Sequence, residues 1–269
     1  MQWPIEALAR AGMRDVLVNT AWLGDQIESY FAGPSVAWAP DLTQPGLDSQ
    51  IGVPVRLEGA PVWLEGVPVR LEGAPVRLEG APVWLEGASV RLEGASVRLV
   101  RAPVRLVYSH EGRDFGGALE TAGGIARALP QLADPFWLLA GDVFVPEFVF
   151  SEAARRAFMA SDALAHIWLV LNPPHNPKGD FGLTQEGLAR NDGPGRYTYS
   201  TIGLFRHALF APPFCDIPAG NPAGARAALA PLLRIAAQHE RLTAQLYTGP
   251  WTDVGTPERL AQLQIPRAS

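Results

Sequence analysis

The sequence is poor in the residues that much covalent and metal chemistry needs. One cysteine, Cys215, in 269 residues excludes an internal disulfide framework and a cysteine-rich zinc site. The one lysine, Lys178, stands among basic residues that are otherwise all arginine, so a mechanism built on two lysines is excluded. His110, His166, His207 and His239 show no metal-ligand spacing. There is no Gly-x-Ser-x-Gly elbow to carry a nucleophilic serine. No run of about 18 apolar residues offers a membrane-spanning helix. The opening residues lack the basic and apolar parts of a secretory leader, and a reducing cytoplasm is expected. Net charge is -5 with no basic block, which removes the electrostatic footprint of a nucleic-acid partner. Against these shortages, 48% of residues are hydrophobic and 18% charged. That excludes wholesale disorder and supports a sizeable core.

A tandem repeat fills residues 54–102. Seven copies of a seven-residue unit run from PVRLEGA at Pro54 to SVRLVRA, and an eighth opens at Pro103. The period is not that of a coiled coil, because Val and Leu stand two apart. A Pro at helix-interior positions costs about 3 kcal/mol. Within a unit, Val-Arg-Leu-Glu alternates as a short strand does. Short extended pieces joined by turns, or a flexible tract, are expected. Two readings of its role stand side by side: a surface-loop expansion, tolerated because loop-closure cost grows slowly with length, and an interaction array. Removing 54–102 would join Ile51-Gly52-Val53 to Pro103-Val104-Arg105-Leu106-Val107-Tyr108 as one plausible strand. The whole of 1–269 is therefore expected to be a single domain interrupted at 54–102.

Outside the repeat, helices and strands alternate. Helices are predicted at Ile5–Ala11 (closed by Gly12), Leu23–Phe31, from Ile125 after Gly123-Gly124, Ala227–His239 and Thr256–Leu263. Strands are predicted at Asp15–Asn19, Val104–Tyr108, Phe136–Ala140, His166–Leu171 and Tyr199–Phe205. The continuous apolar run Phe136–Ala140 reads as a central parallel strand. The alternation predicts an α/β sheet with helices on both faces.

Several loops could carry chemistry. Gly141-Asp142 follows the apolar run, at the carboxyl end of a strand, where open α/β sheets bind ligands. Asp253 precedes Thr256-Pro257, a good N-cap and first helical residue. Two such loop carboxylates suit Mg²⁺, which takes one or two carboxylates and substrate phosphates; singly, each is as readily a turn residue. Leu119–Ile125 reads as a Gly-rich loop opening a helix, either an anion-favouring site or an ordinary turn. The loop Asn172–Gly182 offers His175, Lys178 and Asp180 to a polar ligand, or is simply solvated.

Five segments taken together carry a resemblance: LETAGGI, FWLLAGDVF, NPPHNPKGDFGL, YSTIGLF and WTDVGTPERL. Their order and spacing resemble those of the sugar-1-phosphate nucleotidyltransferases. The resemblance implies a Rossmann-like nucleotidyltransferase fold, with a mixed, mostly parallel sheet and helices on both faces. It implies transfer of a nucleotidyl group, with UTP as donor, to a sugar 1-phosphate, with release of pyrophosphate. The acceptor implied is N-acetylmuramate 1-phosphate, within peptidoglycan recycling. By motif match, Asp142 and Asp253 would be catalytic and hold Mg²⁺. Asn19, Glu120, Gly123 and Gly124 would bind the nucleotide, and Asp180 and Gly182 the sugar. The family also carries a first strand, a G-x-G-x-R triphosphate loop and a Pro-Lys pair, and this sequence matches none of them. The fold is accordingly expected to lack the first strand. Ala140 and Thr201 stand where related sequences often carry Asn and Gly. An impaired enzyme, or a non-catalytic relative that binds nucleotide or sugar weakly, is the alternative expectation.

Overall fold

A computed structural model of the protein describes residues 1–32, 104–193 and 195–264, with five short strands between residues 62 and 92. The chain divides into two compact units, Met1–Phe31 with Leu106–Ser269, and Ala32–Arg105. The first unit opens with α1 (Gln2–Arg10), which buries Ile5, Ala7, Leu8 and Ala9. It stops as predicted: Gly12 takes a φ of 87°, its N–H donates to Ala9 O, and the Met13 N–H donates to Leu8 O. These two bonds are the Schellman closure, which needs a left-handed residue that glycine supplies without strain. Strand β1 (Asp15–Thr20) and helix α2 (Gly24–Ala32) follow.

The described parts of the second unit are β2 (Val62–Trp63), β3 (Pro68–Leu71), β4 (Ala74–Arg77), β5 (Pro82–Val83) and β6 (Arg91–Leu92). Each starts within the Ala/Pro-Val-Arg/Trp-Leu part of a repeat, as the period-two alternation predicts. β3 pairs antiparallel with β4 and with β6, and β2 pairs antiparallel with β5. The rest of the tract lies outside the described residues.

The first unit resumes with β7 (Arg105–His110), which pairs with β1. Short α3 (Glu111–Phe115) and α4 (Glu120–Ala128) lead to β8 (Phe136–Leu138) and β9 (Val143–Phe144). Helix α5 (Glu152–Met159) precedes β10 (Ala165–Val170), the hairpin β11 (Gly182–Leu183) and β12 (Ala189–Arg190), and β13 (Thr198–Phe205). Helix α6 (Leu229–Gln238), β14 (Leu242–Leu246), β15 (Thr252–Asp253) and α7 (Pro257–Gln264) complete it.

The principal sheet has four strands in the order β14-β10-β13-β8. β10 runs parallel to β14, while β13 runs antiparallel to both β10 and β8. Side-chain alternation sorts this sheet into two cores. Ala165, Ile167, Leu169 and Phe205 face one cluster with Ile125 of α4 and Leu232 and Leu233 of α6. Trp168, Ile202 and Leu204 face the other, with Leu8 of α1 and Phe158 of α5. Each large side chain so enclosed contributes roughly 1.5–3 kcal/mol. Helices thus cover both faces of a mixed sheet, as the α/β expectation required.

Two local expectations are corrected. The run Phe136–Ala140 is not a central parallel strand: β8 ends the four-strand order and pairs antiparallel with β13. It is apolar throughout because both its faces are covered, Phe136 and Leu138 by the first cluster, Trp137, Leu139 and Ala140 by the second. The Gly-rich segment at 119–125 is not a loop: Gly123 and Gly124 lie inside α4. Glycine there costs about 1 kcal/mol against alanine, but the space is taken. A Cβ on Gly123 would lie 2.5 Å from Ala225 O, and one on Gly124 2.6 Å from Asn19 Nδ2.

Candidate active site

Asp142 and Asp253 are brought together by a two-strand ladder. β9 and β15 pair antiparallel with Asp253 opposite Val143, and the Val254 N–H donates to Asp142 O at 2.7 Å. The register fixes the two aspartates beside one another although 111 residues separate them in sequence. Both carboxylates reach one point, the place where Gly255 lacks a Cβ: Asp253 Oδ1 lies 3.0 Å and Asp142 Oδ2 3.1 Å from it. Asp253 Oδ1 also accepts the Gly255 N–H at 2.7 Å. Its Oδ2 meets Arg259 Nη1 at 2.5 Å and His175 Nε2 at 3.4 Å. Thr256 caps α7 as predicted, its Oγ1 accepting the Arg259 N–H at 3.3 Å, which places Arg259 on the first turn facing Asp253.

Among the described residues no three His, Cys, Asp or Glu side chains converge on a metal position. Two neighbouring carboxylates do suit a hard cation such as Mg²⁺, which keeps several waters and takes its remaining oxygens from phosphates. The α-amino group of Met1 lies in the same neighbourhood. Burial lowers its pKa, and the charge of Asp142 opposes that shift.

A cavity of about 560 Å³ opens beside the end of β8, a volume suited to a small-molecule ligand. Leu138, Leu139 and Ala140 form one wall, two residues short of Asp142. Glu120 and Asp180, predicted for nucleotide and sugar, both line it. Asp180 is fixed in place: its Oδ2 accepts the Tyr199 N–H at 2.8 Å, and its Oδ1 accepts from Asn176 Nδ2 at 3.2 Å. Glu120 starts α4 with a φ of 57°, an uncommon left-handed conformation for a residue with a side chain. Thr201, also on the wall, has a φ of 66°, a stronger departure for a β-branched residue.

Asn19, an exposed residue one position before the end of β1, lies against Gly124 and the buried Glu111. Glu111 accepts the Leu119 N–H at 2.8 Å and so fixes the entry to α4. Burial pushes its carboxyl pKa up, opposed by that hydrogen bond and by the charge of Arg127. Gly123 is engaged within the protein on both sides, its N–H donating to Ala227 O and its carbonyl accepting from Asn221 Nδ2. Gly182 pairs with Arg190 in the β11–β12 hairpin and does not line the cavity. Lys178 is exposed.

The predicted residues therefore fall into three groups: Asp142 with Asp253, Glu120 with Asp180, and Asn19 with Gly124. His175, offered with Lys178 and Asp180 as a possible contact for a polar ligand, instead meets the Asp253 carboxylate. The sequence reading missed Arg259, Tyr199 and Arg234. Arg259 had a legible signal, six residues after Asp253 and three after the N-cap Thr256. The other two reach the cavity through sheet and helix packing that no local pattern encodes.

No family model matches the chain. The chain is 43% identical over 153 residues to an N-acetylmuramate alpha-1-phosphate uridylyltransferase from Neisseria meningitidis serogroup B (strain ATCC BAA-335 / MC58). That match takes in 55% of this chain and 62% of the relative's length. Among solved structures, HddC from Yersinia pseudotuberculosis aligns over 97% of this chain and 82% of its own, with a TM-score of 0.49 and 11% identity. A nucleoside-diphosphate-sugar pyrophosphorylase from Vibrio cholerae RC9 aligns over 60% and 69%, with a TM-score of 0.39 and 12% identity. The chain is thus similar in sequence to a sugar-phosphate uridylyltransferase over somewhat less than two thirds of that protein.

Proposed function

We propose that the chain is a sugar-1-phosphate nucleotidyltransferase, transferring a uridylyl group from UTP to N-acetylmuramate 1-phosphate in peptidoglycan recycling. The observation that carries the reading is the convergence of Asp142 and Asp253 beside a cavity of ligand size. The 43% identity to a uridylyltransferase supports the choice of substrates. In the reaction, an oxygen of the sugar phosphate attacks the α-phosphorus of UTP. The bond from the α-phosphorus to the bridging oxygen breaks, and pyrophosphate leaves with that oxygen.

Asp142 and Asp253 are the residues that would hold Mg²⁺. When bound, the ion supplies neutralisation of phosphate charge in a reaction that is mostly positioning and electrostatics. His175 and Arg259 hold the Asp253 carboxylate in one orientation. Glu120 and Asn19 offer side chains to the nucleotide, and Gly123 and Gly124 supply the close packing that brings α4 up to them. Asp180, locked by Tyr199 and Asn176, accepts from a sugar hydroxyl, and Gly182 follows two residues later in the β11–β12 hairpin. On this reading the 54–102 tract interrupts one domain spanning 1–269, and deleting it leaves UTP binding intact.

Calorimetric titration of UTP, with and without Mg²⁺, tests this reading. Binding that strengthens with Mg²⁺ and is lost in Asp142→Asn supports it. Absence of UTP binding under any condition refutes it.

A further inference from the structure

The sheet that carries the two aspartates is not the sheet that walls the cavity. β9 and β15 form a two-strand ladder of their own, apart from the order β14-β10-β13-β8. The ladder fixes Asp142 and Asp253 against each other and leaves their place relative to Asp180 to other contacts. One such contact meets the principal sheet where β13 is irregular. Ile167 of β10 pairs with Gly203 and Leu169 with Tyr199, so Trp168 alone stands opposite Ser200, Thr201 and Ile202. The extra residues make a bulge, which bends a strand and re-aims its groups, and Thr201 with its φ of 66° sits at the centre. Ser200 is buried. Its carbonyl accepts two hydrogen bonds, from Thr201 Oγ1 at 2.6 Å and from Trp251 Nε1 at 3.1 Å. Trp251 immediately precedes β15 and stands two residues before Asp253, with its ring packed against the second core cluster.

Three consecutive residues of the bulge therefore serve both ends of the site. The Tyr199 N–H holds the Asp180 carboxylate, the Ser200 carbonyl holds Trp251, and Thr201 lines the cavity. We propose that Trp251 is a positioning residue: its indole N–H, seated on the carbonyl that the β13 bulge presents, sets where Asp253 stands relative to the cavity, and with it the reach from the phosphate-handling aspartates to Asp180. This rests on the nucleotidyltransferase reading of the site. The Ser200 carbonyl does not need the indole for its own sake, because the Thr201 hydroxyl already satisfies it. The indole bond instead ties the ladder to the principal sheet. His175 and Arg259 orient the Asp253 carboxylate from its far oxygen, while Trp251 fixes the backbone that carries it. Contacts of this kind, one step behind a ligating carboxylate, preorganise the group that meets the ion.

The test is Trp251→Phe in the full chain, which keeps a ring on the core cluster and removes the N–H. Its melting temperature should fall by roughly 2–4 °C, the scale of one neutral hydrogen bond. Calorimetric titration of UTP in excess Mg²⁺ should show affinity weakened by about 10-fold, the lower end of the range for contacts behind a metal ligand. Affinity for N-acetylmuramate 1-phosphate without Mg²⁺ should be unchanged, because Tyr199 and Asn176 hold Asp180 independently of Trp251. In an Asp253→Asn background, Trp251→Phe should cost no further UTP affinity, since a residue that acts through Asp253 has nothing left to act on. An indole that merely packs would weaken both ligands together and add its loss to that of Asp253→Asn. Unchanged UTP affinity in Trp251→Phe, equal weakening of both ligands, or additive losses overturns the positioning role and leaves the reading of the site standing. Failure of UTP to bind the unaltered protein in Mg²⁺ overturns both.

Discussion

His166 lies on the central strand β10, between two cores, and its titration should be visible in the stability of the fold. Burial lowers its pKa from 6.5 to about 4. The ring packs edge-on against Trp168 at 4.5 Å, and its Nδ1 pairs with Thr243 Oγ1 at 2.9 Å across the β10–β14 register. The folded state holds the imidazole neutral while the unfolded chain protonates it near pH 6.5. Between pH 6.5 and 4 the unfolded chain therefore binds the extra proton, so stability is full above this window and falls as pH drops through it. The pKa difference corresponds to roughly 3 kcal/mol at most. Between about pH 7 and pH 4.5 the loss should approach 2 kcal/mol or a little more, and the melting temperature should fall by roughly 5–10 °C from this group. Other carboxyl groups titrate in the same range, so the comparison is with His166→Gln, which can still reach Thr243 but carries no titrating proton. Thermal melts of both proteins across that range should show the parent losing about 2 kcal/mol more than the variant. Parallel curves would refute the assignment of a neutral, buried His166.

Three further predictions follow from particular contacts. Asn221 is fully buried and makes hydrogen bonds to Gly123 O, Ala225 O and the Ala225 N–H. Asn221→Ala should cost about 3 kcal/mol and lower the melting temperature by roughly 6–12 °C, and a change within the error of the melt would contradict this. Glu111, its pKa raised by burial, binds its proton more tightly in the folded state. Stability should therefore decline as pH rises from about 4.3, the unfolded carboxyl value, through the raised folded value. Glu111→Gln, which still accepts from Leu119, should remove that decline in denaturant titrations, and an unchanged slope would exclude it. Thr201, at a φ of 66°, should gain about 1 kcal/mol on conversion to glycine. Thr201→Ala keeps the Cβ and should gain less, and a lower melt for the glycine variant than for the alanine one would remove the strain argument.

What the sequence made legible was local. Apolar runs rich in strand-forming side chains located β1, β10 and β13 to within a residue or two, because such side chains pack well on a pleated, largely covered surface. Gly12 announced the end of α1, and Thr256-Pro257 the start of α7, because capping is chemistry of adjacent residues. Helix α5 went unread although Ser151 signals it: its Oγ accepts the Ala153 and Ala154 N–H groups at 3.1 and 3.3 Å. β14 also went unread, since Leu-Thr-Ala-Gln-Leu is short and takes its strand form from pairing with β10. The errors came from partners distant in sequence. Gly123-Gly124 reads as a loop until the 221–227 segment is seen packed against it. Phe136–Ala140 reads as a central strand because covering elements on both sides give an edge strand the same composition. The two aspartates were legible as candidates by their motifs, but their meeting depends on the β9–β15 register. Tyr199 and Arg234 had no local signal at all.

The central claim is that Asp142 and Asp253 form one phosphate-handling site. Pyrophosphate release from UTP and N-acetylmuramate 1-phosphate, followed with the full chain in Mg²⁺ and again after chelation, tests it most directly. The account predicts release that requires both the sugar phosphate and Mg²⁺. It also predicts a loss of at least a hundredfold in either Asp142→Asn or Asp253→Asn, the scale of removing one preorganised electrostatic group. Release that survives both substitutions, or no release from the unaltered chain at any Mg²⁺ concentration, would contradict it.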